Sequence, residues 1–316
     1  MTSGTINKWL VQIGDNVKAG DIIAEIETDK ATMEVESVDE GKITHLLEEN
    51  PNIQVPVNSV IAIIDGKDSD FLEDNSIKKD TKKQNFSLWK NEDINDQVYL
   101  NYNDVLSKDG FKFFLKNLYE YGFCVITNCE TSMKSVETIA KKIGYVRESI
   151  FGGLWEFESN ENMADSAYTQ EELRPHTDST YSKDAPGLQL LLCCEYSATG
   201  GESIMVDGFK IAETLKKEKE IFDILSNIEV PGKYVGDGVI LEASRPIFRL
   251  NSKKELLQVS FNNYDRAEFR IENELMIKFY DAIKKFDNLS NKTEFQWRHI
   301  LKPGELLIFN NWRILH

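Results

Sequence analysis

"RPHTDSTY", residues 174–181, decides how the larger part of this chain is read. It places His176 and Asp178 on either side of Thr177. In a strand, side chains alternate between faces, so this imidazole and this carboxylate project the same way. Together they are two members of a three-ligand set, two histidines and one carboxylate, which holds Fe(II) and leaves coordination positions open. A polar surface pair has the same spelling, so a third ligand is needed. The chain contains four histidines. His45 lies in an N-terminal block. His299, in "EFQWRHILKPGE", stands before a turn and reads as a surface or interface residue. His316 closes "LKPGELLIFNNWRILH" (301–316), where the Pro303-Gly304 turn and the apolar "ELLIF" predict a strand that carries it back toward the core.

Around that pair the sequence predicts a mainly β unit with flanking helices. Helical periodicity runs through 103–122 and 132–144, with a strand, "FCVITN" (123–128), between them. After Ile150 short strands alternate with long turns, apart from helices near 209–226 and 272–288. That pattern suits a jelly-roll, or double-stranded β-helix, with helices packed outside. "LQLLLCCEY" (188–196) reads as a buried strand, with Cys193 and Cys194 as reduced interior thiols. With Cys124 and Cys129 they fit neither a zinc site nor a secreted disulfide framework.

Composition narrows the function classes. The 316 residues are 41% hydrophobic and 28% charged, as in ordinary globular domains. A formal net charge of −16 repels phosphate backbones, which argues against nucleic acid and favours solubility; a cationic small molecule would be tolerated. No run approaches the ~18 apolar residues of a membrane span. The N-terminus lacks the basic start and apolar core of a signal peptide, and the expected compartment is the cytoplasm.

Residues 66–85, "GKDSDFLEDNSIKKDTKKQN", are charged and nearly free of large apolar side chains, and read as a linker. Before it, residues 1–65 contain a repeat: "NVKAGDIIAEIE" (16–27) aligns with "QVPVNSVIAIID" (54–65), matching Val17 to Val55, Ile23 to Ile61 and Ile26 to Ile64. Two copies of one β motif predict a small two-fold sandwich. "DIIAEIETDK" and "ATMEVES" predict two strands with Lys30 at or near the turn between them.

"EIETDKATMEVES", with Gly14 sixteen residues before Lys30 and Gly41 eleven after, closely resembles the lipoyl-attachment hairpin of 2-oxoacid dehydrogenase acyltransferases. The resemblance implies lipoate on Lys30, and either a 2-oxoacid dehydrogenase complex or a lipoylating enzyme as partner. Related biotinyl domains carry methionine where this chain has Asp29. That family has a further strand before "GTI", so the first strand of the sandwich is expected to be missing.

Residues 86–316 resemble the carnitine-pathway dioxygenases, which act on trimethyllysine and γ-butyrobetaine and belong to the taurine-dioxygenase-like group. The matching segments are "AYTQEELRPHTDSTY", "PGLQLLLC", "TGGESIMVDGF", "NNYDRA" and "KPGELLIFNNWRILH". "HTDSTY", "NNYDRA" and "LKPG" favour the trimethyllysine type. The resemblance implies His176, Asp178 and His316 as Fe(II) ligands, with 2-oxoglutarate and O2 as co-substrates. It implies an aromatic cage of Phe151, Trp155 and Tyr168 around a small-molecule trimethylammonium substrate. Aromatic faces suit a quaternary ammonium, which has no hydrogen to donate. Tyr181, Asn262 and Asn263 would meet the polar end of the substrate, although Asn262 and Asn263 also read as turn residues. The family's arginine for the far carboxylate of 2-oxoglutarate follows the distal histidine. Arg313 precedes His316 and does not match it, so the C-terminal end is expected to be missing and turnover by this chain to be weak. Against the hydroxylase stand a lipoyl carrier joined to an inactive oxygenase-like domain, and an artificial or partial gene fusion. A homodimer is compatible with all three.

Overall fold

The computed structural model describes residues 3–28, 32–47, 53–56, 61–65, 87–149, 152–156, 172–197, 199–236 and 238–316. The chain divides into two compact units, Met1–Gln84 and Asn85–His316.

In the first unit, β1 (Ser3–Trp9), β3 (Ile22–Glu27), β4 (Thr32–Glu36) and β6 (Ile53–Pro56) form one sheet in the order β4-β3-β1-β6. The other sheet, β2-β5-β7, contains Asn16–Val17, Gly41–Leu46 and Ala62–Ile64. The sequence repeat is visible in this topology. Its first copy supplies β2 and β3, its second β6 and β7, and equivalent strands occupy opposite sheets, as a two-fold relating the sheets requires. Val17, Ile23 and Ile43 fill the space between. β3 and β4 pair antiparallel, from Ile22 opposite Glu36 to Glu27 opposite Thr32. Lys30 falls in their connection, outside the described residues.

The second unit is built around β17 (Leu306–Asn310), a buried central strand of the sheet β10-β17-β9-β8. Its partners are β10 (Leu188–Leu192) and β9 (Phe123–Thr127), and β8 (Tyr99–Asn101) runs parallel to β9 at the edge. Period-two alternation gives the sheet two apolar faces. Leu306, Ile308, Cys124 and Ile126 join Phe114, Leu118 and Ile139, which come from helices α2 (Lys108–Tyr121) and α3 (Met133–Ile143). Leu307, Phe309, Phe123 and Val125 face the opposite way, toward Met205 and Trp297 of a second sheet. That sheet, β16-β11-β18, contains Gln296–His299, Ser203–Asp207 and Ile314–Leu315. A third cluster joins β14 (Phe248–Leu250) and β15 (Leu256–Val259) to helices α4 (Gly208–Leu215), α5 (Lys219–Asn227) and α6 (Asn273–Ser290). β12 (Val230–Gly236) and β13 (Val239–Arg245) pair as a hairpin. Its Gly232 is required by close approach, since a Cβ there would stand 2.7 Å from the Thr180 backbone.

Three local expectations change. The helix expected over 103–122 is broken at Ser107: α1 (Tyr102–Leu106) ends there, and the Ser107 hydroxyl accepts from Gly110 N to start α2. The strand through "LQLLLCCEY" ends at Leu192, leaving Cys193 half-buried and Cys194 exposed. The turn Lys302–Glu305 intervenes beside it, with Gly304 N donating to Cys193 O. His299 is not an ordinary surface residue. It is partly buried, with Nε2 2.7 Å from Glu305 Oε2 and its ring stacked on Trp297. Among the described residues, no helix is long and apolar enough to cross a membrane.

A deeply enclosed ion pair joins Arg313, 1% exposed, to Asp207, also 1% exposed. Arg313 Nη2 donates to Asp207 Oδ2 (2.8 Å) and Ser87 O (2.8 Å), and its Nη1 to Glu120 O (2.8 Å). One side chain thus ties the start of the unit, the end of α2 and the end of β11 to the segment before His316. Removing one member of such a pair strands a buried charge, at a cost of ~3–5 kcal/mol. Arg313→Met is therefore expected to lower the denaturation midpoint sharply, with partial recovery when Asp207→Leu is added. An unchanged midpoint in Arg313→Met contradicts this role.

Candidate metal centre

β18 delivers His316. β17 leads into a turn at 311–313, and Ile314 and Leu315 then pair with Asp207 and Val206 of β11. The next residue pairs with a segment 140 positions earlier: His176 N donates to His316 O (3.0 Å), and His316 N to His176 O (2.9 Å). This reciprocal pair sets the two imidazoles side by side, with ring centroids 4.8 Å apart. The segment carrying His176 is extended but belongs to no regular strand. Thr177 N donates to Phe261 O and Phe261 N to the Thr177 hydroxyl, which fixes the far face of that segment. Past Asp178 the chain turns sharply, with φ of 56° at Ser179.

His176, Asp178 and His316 form the one group of potential ligands found among the described residues, their donor atoms all within 4.8 Å of one another. His176 Nε2 is 3.5 Å from Asp178 Oδ1, and His316 Nε2 is 3.3 Å from Asp178 Oδ2. Ligands at right angles around an ion, each at roughly 2.1 Å, stand about 3 Å apart. The donor set and its two histidine–carboxylate spacings therefore suit a divalent ion held by His176, Asp178 and His316. His176 Nδ1 lies 2.9 Å from Arg174 O, so that nitrogen carries the proton and leaves the Nε2 lone pair toward the centre. His316 Nδ1 is buried without a hydrogen-bond partner among the described residues. Its ring is held by packing, 4.4 Å from Phe309 between centroids.

Burial alone would raise the Asp178 pKa, but the charges and hydrogen bonds of His316 and His176 outweigh it and hold the carboxyl well below its usual range. Burial opposes protonation of His176, yet Asp178 and the Arg174 carbonyl raise its pKa above the ordinary 6.5. Nearby, Asp265 is pushed up to about 6, chiefly by burial.

Asn311, 1% exposed, holds the carboxylate ligand's backbone. Its Oδ1 accepts from Asp178 N (2.8 Å), and its Nδ2 donates to Asp178 O (3.1 Å) and Pro186 O (3.0 Å). Trp312 Nε1 adds a bond to Ala185 O (3.0 Å). Neither residue was singled out from sequence, although both lie in the "FNNWRILH" segment that carried the resemblance.

Of the remaining expected site residues, Trp155 is described and 47% exposed, while Phe151 and Tyr168 lie outside the described residues. Tyr181 is buried, its ring 5.1 Å from that of Tyr234 on β12. Asn262 serves a turn: its Oδ1 accepts from Tyr264 N, and its Nδ2 donates to Asp265. Asn263 is exposed beside it.

Comparison with known proteins agrees with this geometry. The family described as "Taurine catabolism dioxygenase TauD, TfdA family" matches residues 86–316, and that described as "Biotin-requiring enzyme" (Biotin_lipoyl) matches residues 1–64. A trimethyllysine dioxygenase from Meyerozyma guilliermondii is 36% identical over 66% of this chain and 54% of its own length. The mitochondrial trimethyllysine dioxygenase of Bos taurus is 33% identical over 79% of this chain and 62% of its own. Human γ-butyrobetaine dioxygenase is 31% identical over 69% and 58%. The chain thus spans somewhat more than half the length of these relatives. A solved taurine dioxygenase from Burkholderia xenovorans shares the fold, with a TM-score of 0.50 at 12% identity over 68% of this chain and 76% of that one.

Two outcomes follow. Asn311→Ala is expected to weaken Mn(II) affinity roughly ten-fold or more, measured by calorimetry, because the carboxylate's support is lost. Mn(II) affinity is also expected to fall as pH is lowered through the titration of His176, whose pKa stands above its ordinary value, since a proton on that ring competes with the metal. A flat profile there would show that His176 is not a ligand.

Proposed function

Because the chain belongs to the Taurine catabolism dioxygenase TauD, TfdA family, we propose that it acts as an Fe(II)- and 2-oxoglutarate-dependent hydroxylase of a trimethylammonium amino acid. N6-Trimethyllysine is the first candidate substrate and γ-butyrobetaine the second. The observation that carries the reading is the convergence of His176, Asp178 and His316 on one point, within a chain whose curated relatives act on these compounds. In this reading residues 86–316 are the oxygenase domain, a double-stranded β-helix, with 66–85 as linker and 1–65 as a lipoyl-type domain.

When bound, Fe(II) with 2-oxoglutarate and O2 supplies the oxidising power that converts an unactivated C–H bond to C–OH, with succinate and CO2 released. The protein's own residues do the rest. Asp178 stays ionised and His176 presents Nε2, so the ligand set offers one negative charge and two neutral donors. Asn311 and the His176–His316 backbone pair keep that set rigid. Trp155, Phe151 and Tyr168 would enclose the trimethylammonium group and so select which carbon faces the metal. Tyr181, Asn262 and Asn263 border the polar end. The N-terminal domain would carry lipoate on Lys30, presented by the β3–β4 hairpin to a lipoylating enzyme or a 2-oxoacid dehydrogenase complex.

The test is succinate release coupled to substrate loss in the full-length protein, supplied with Fe(II), 2-oxoglutarate and each candidate substrate in turn. Trp155→Ala is expected to raise KM for trimethyllysine roughly two- to thirty-fold with little effect on uncoupled 2-oxoglutarate turnover. An unchanged KM removes Trp155 from the cage. Absence of coupled turnover with both substrates removes the substrate assignment.

A further inference from the structure

The orientation of His176 depends on a residue that is not a ligand. His176 Nδ1 lies 2.9 Å from the Arg174 carbonyl, so the ring is only as steady as that carbonyl. The sequence "RPH" (174–176) prepares it locally. A residue before proline is biased to extended backbone, and Pro175 has no N–H to compete for the acceptor. Pro175 is buried but Arg174 is exposed, so the grip on Arg174 must come from outside the core.

Two contacts supply that grip. The Tyr264 hydroxyl accepts from Arg174 N (3.0 Å), and Arg174 Nη1 donates to Asp287 Oδ2 of α6 (2.8 Å). Tyr264 is 51% exposed, yet its ring stands edge-on to the His176 imidazole, with centroids 5.8 Å apart. Its own backbone is tied down, since Tyr264 N donates to Asn262 Oδ1 (2.8 Å). Asp287 lies near the C-terminus of α6, where the helix dipole disfavours a negative charge and the last turn holds no basic residue. The Arg174 guanidinium answers that charge from another part of the chain, and Asn291 Nδ2 holds the second carboxylate oxygen (3.3 Å). An ion pair whose arginine is so exposed adds little to folding stability, which leaves its position as the reason for it.

We propose that Arg174 is a positioning residue for the metal centre, with Tyr264 and Asp287 as its two supports: together they fix the carbonyl that orients His176. The run Asp287–Arg174–His176 thereby connects helix α6 to the donor set. This rests on the reading of His176, Asp178 and His316 as a metal centre, and it adds to that centre three residues outside the donor set.

The experiment loads the full-length protein with Co(II) and reads its visible ligand-field absorption. Mn(II) affinity by calorimetry and the thermal midpoint of the metal-free protein are measured beside it. Wild type is compared with Tyr264→Phe, Arg174→Ala and Arg174→Lys. Tyr264→Phe keeps the ring against His176 and removes only the hydroxyl. Tyr264→Phe and Arg174→Ala are expected to shift the Co(II) bands and to weaken Mn(II) binding roughly ten-fold, with little change in the midpoint. Arg174→Lys keeps a cation for Asp287 and should stay closer to wild type. Unchanged bands and affinity in both Tyr264→Phe and Arg174→Ala overturn the positioning role and leave the metal centre standing. So does a loss of affinity that only tracks a fall in midpoint, with the bands unmoved. A wild type that shows no Co(II) bands and binds no Mn(II) removes the metal centre itself, and the positioning role with it.

Discussion

Two backbone hydrogen bonds between His176 and His316 are the constraint on which the site depends. They join a loop segment to the strand that follows β17, and they bring two imidazoles within ligating distance of one carboxylate. Neither segment could hold this position alone. The first has no regular strand behind it and leans on Thr177 and Phe261. The second is short, and it is located by the Arg313–Asp207 pair and by the turn that places Asn311 under Asp178. The "NNWRILH" segment therefore acts as one device: Asn311 holds the backbone of Asp178, Arg313 anchors the turn to the core, and His316 brings the third candidate donor.

Electrostatics and packing agree at this centre. Partial burial favours the neutral form of the Asp178 carboxyl, but two imidazoles face it and it remains ionised. The bond from His176 Nδ1 to the Arg174 carbonyl fixes the tautomer with Nε2 inward. The donors are thus arranged for a cation before one arrives, with the cost of bringing them together met by the surrounding hydrophobic clusters.

Much of this was legible in the sequence because it rests on local signals. "HTD" marks His176 and Asp178 as a candidate donor pair, although their segment forms no regular strand, and the apolar run in "ELLIF" predicts a buried strand whose faces the structure separates cleanly. The repeat in the first 65 residues was visible as matched apolar positions, and it emerges as equivalent strands in opposite sheets. What was hidden depends on long-range partners. Arg313 was dismissed as a mismatch, because nothing local reveals that its guanidinium reaches Asp207, Ser87 and Glu120. His299 read as a surface residue because its partner, Glu305, lies across a turn. "LLLCCEY" looked uniformly buried, but the strand's pairing ends at Leu192, opposite Leu306, and the apolar run outlasts it. For Lys30, Phe151 and Tyr168 the reading rests on sequence alone.

The most direct measurement is the anomalous scattering of a crystal of the protein grown with Mn(II). The account requires a single strong peak per chain in the second unit, at ligand distance from His176 Nε2, an Asp178 carboxylate oxygen and His316 Nε2. A peak bound by other residues, or no peak under conditions that saturate the protein in solution, would contradict it.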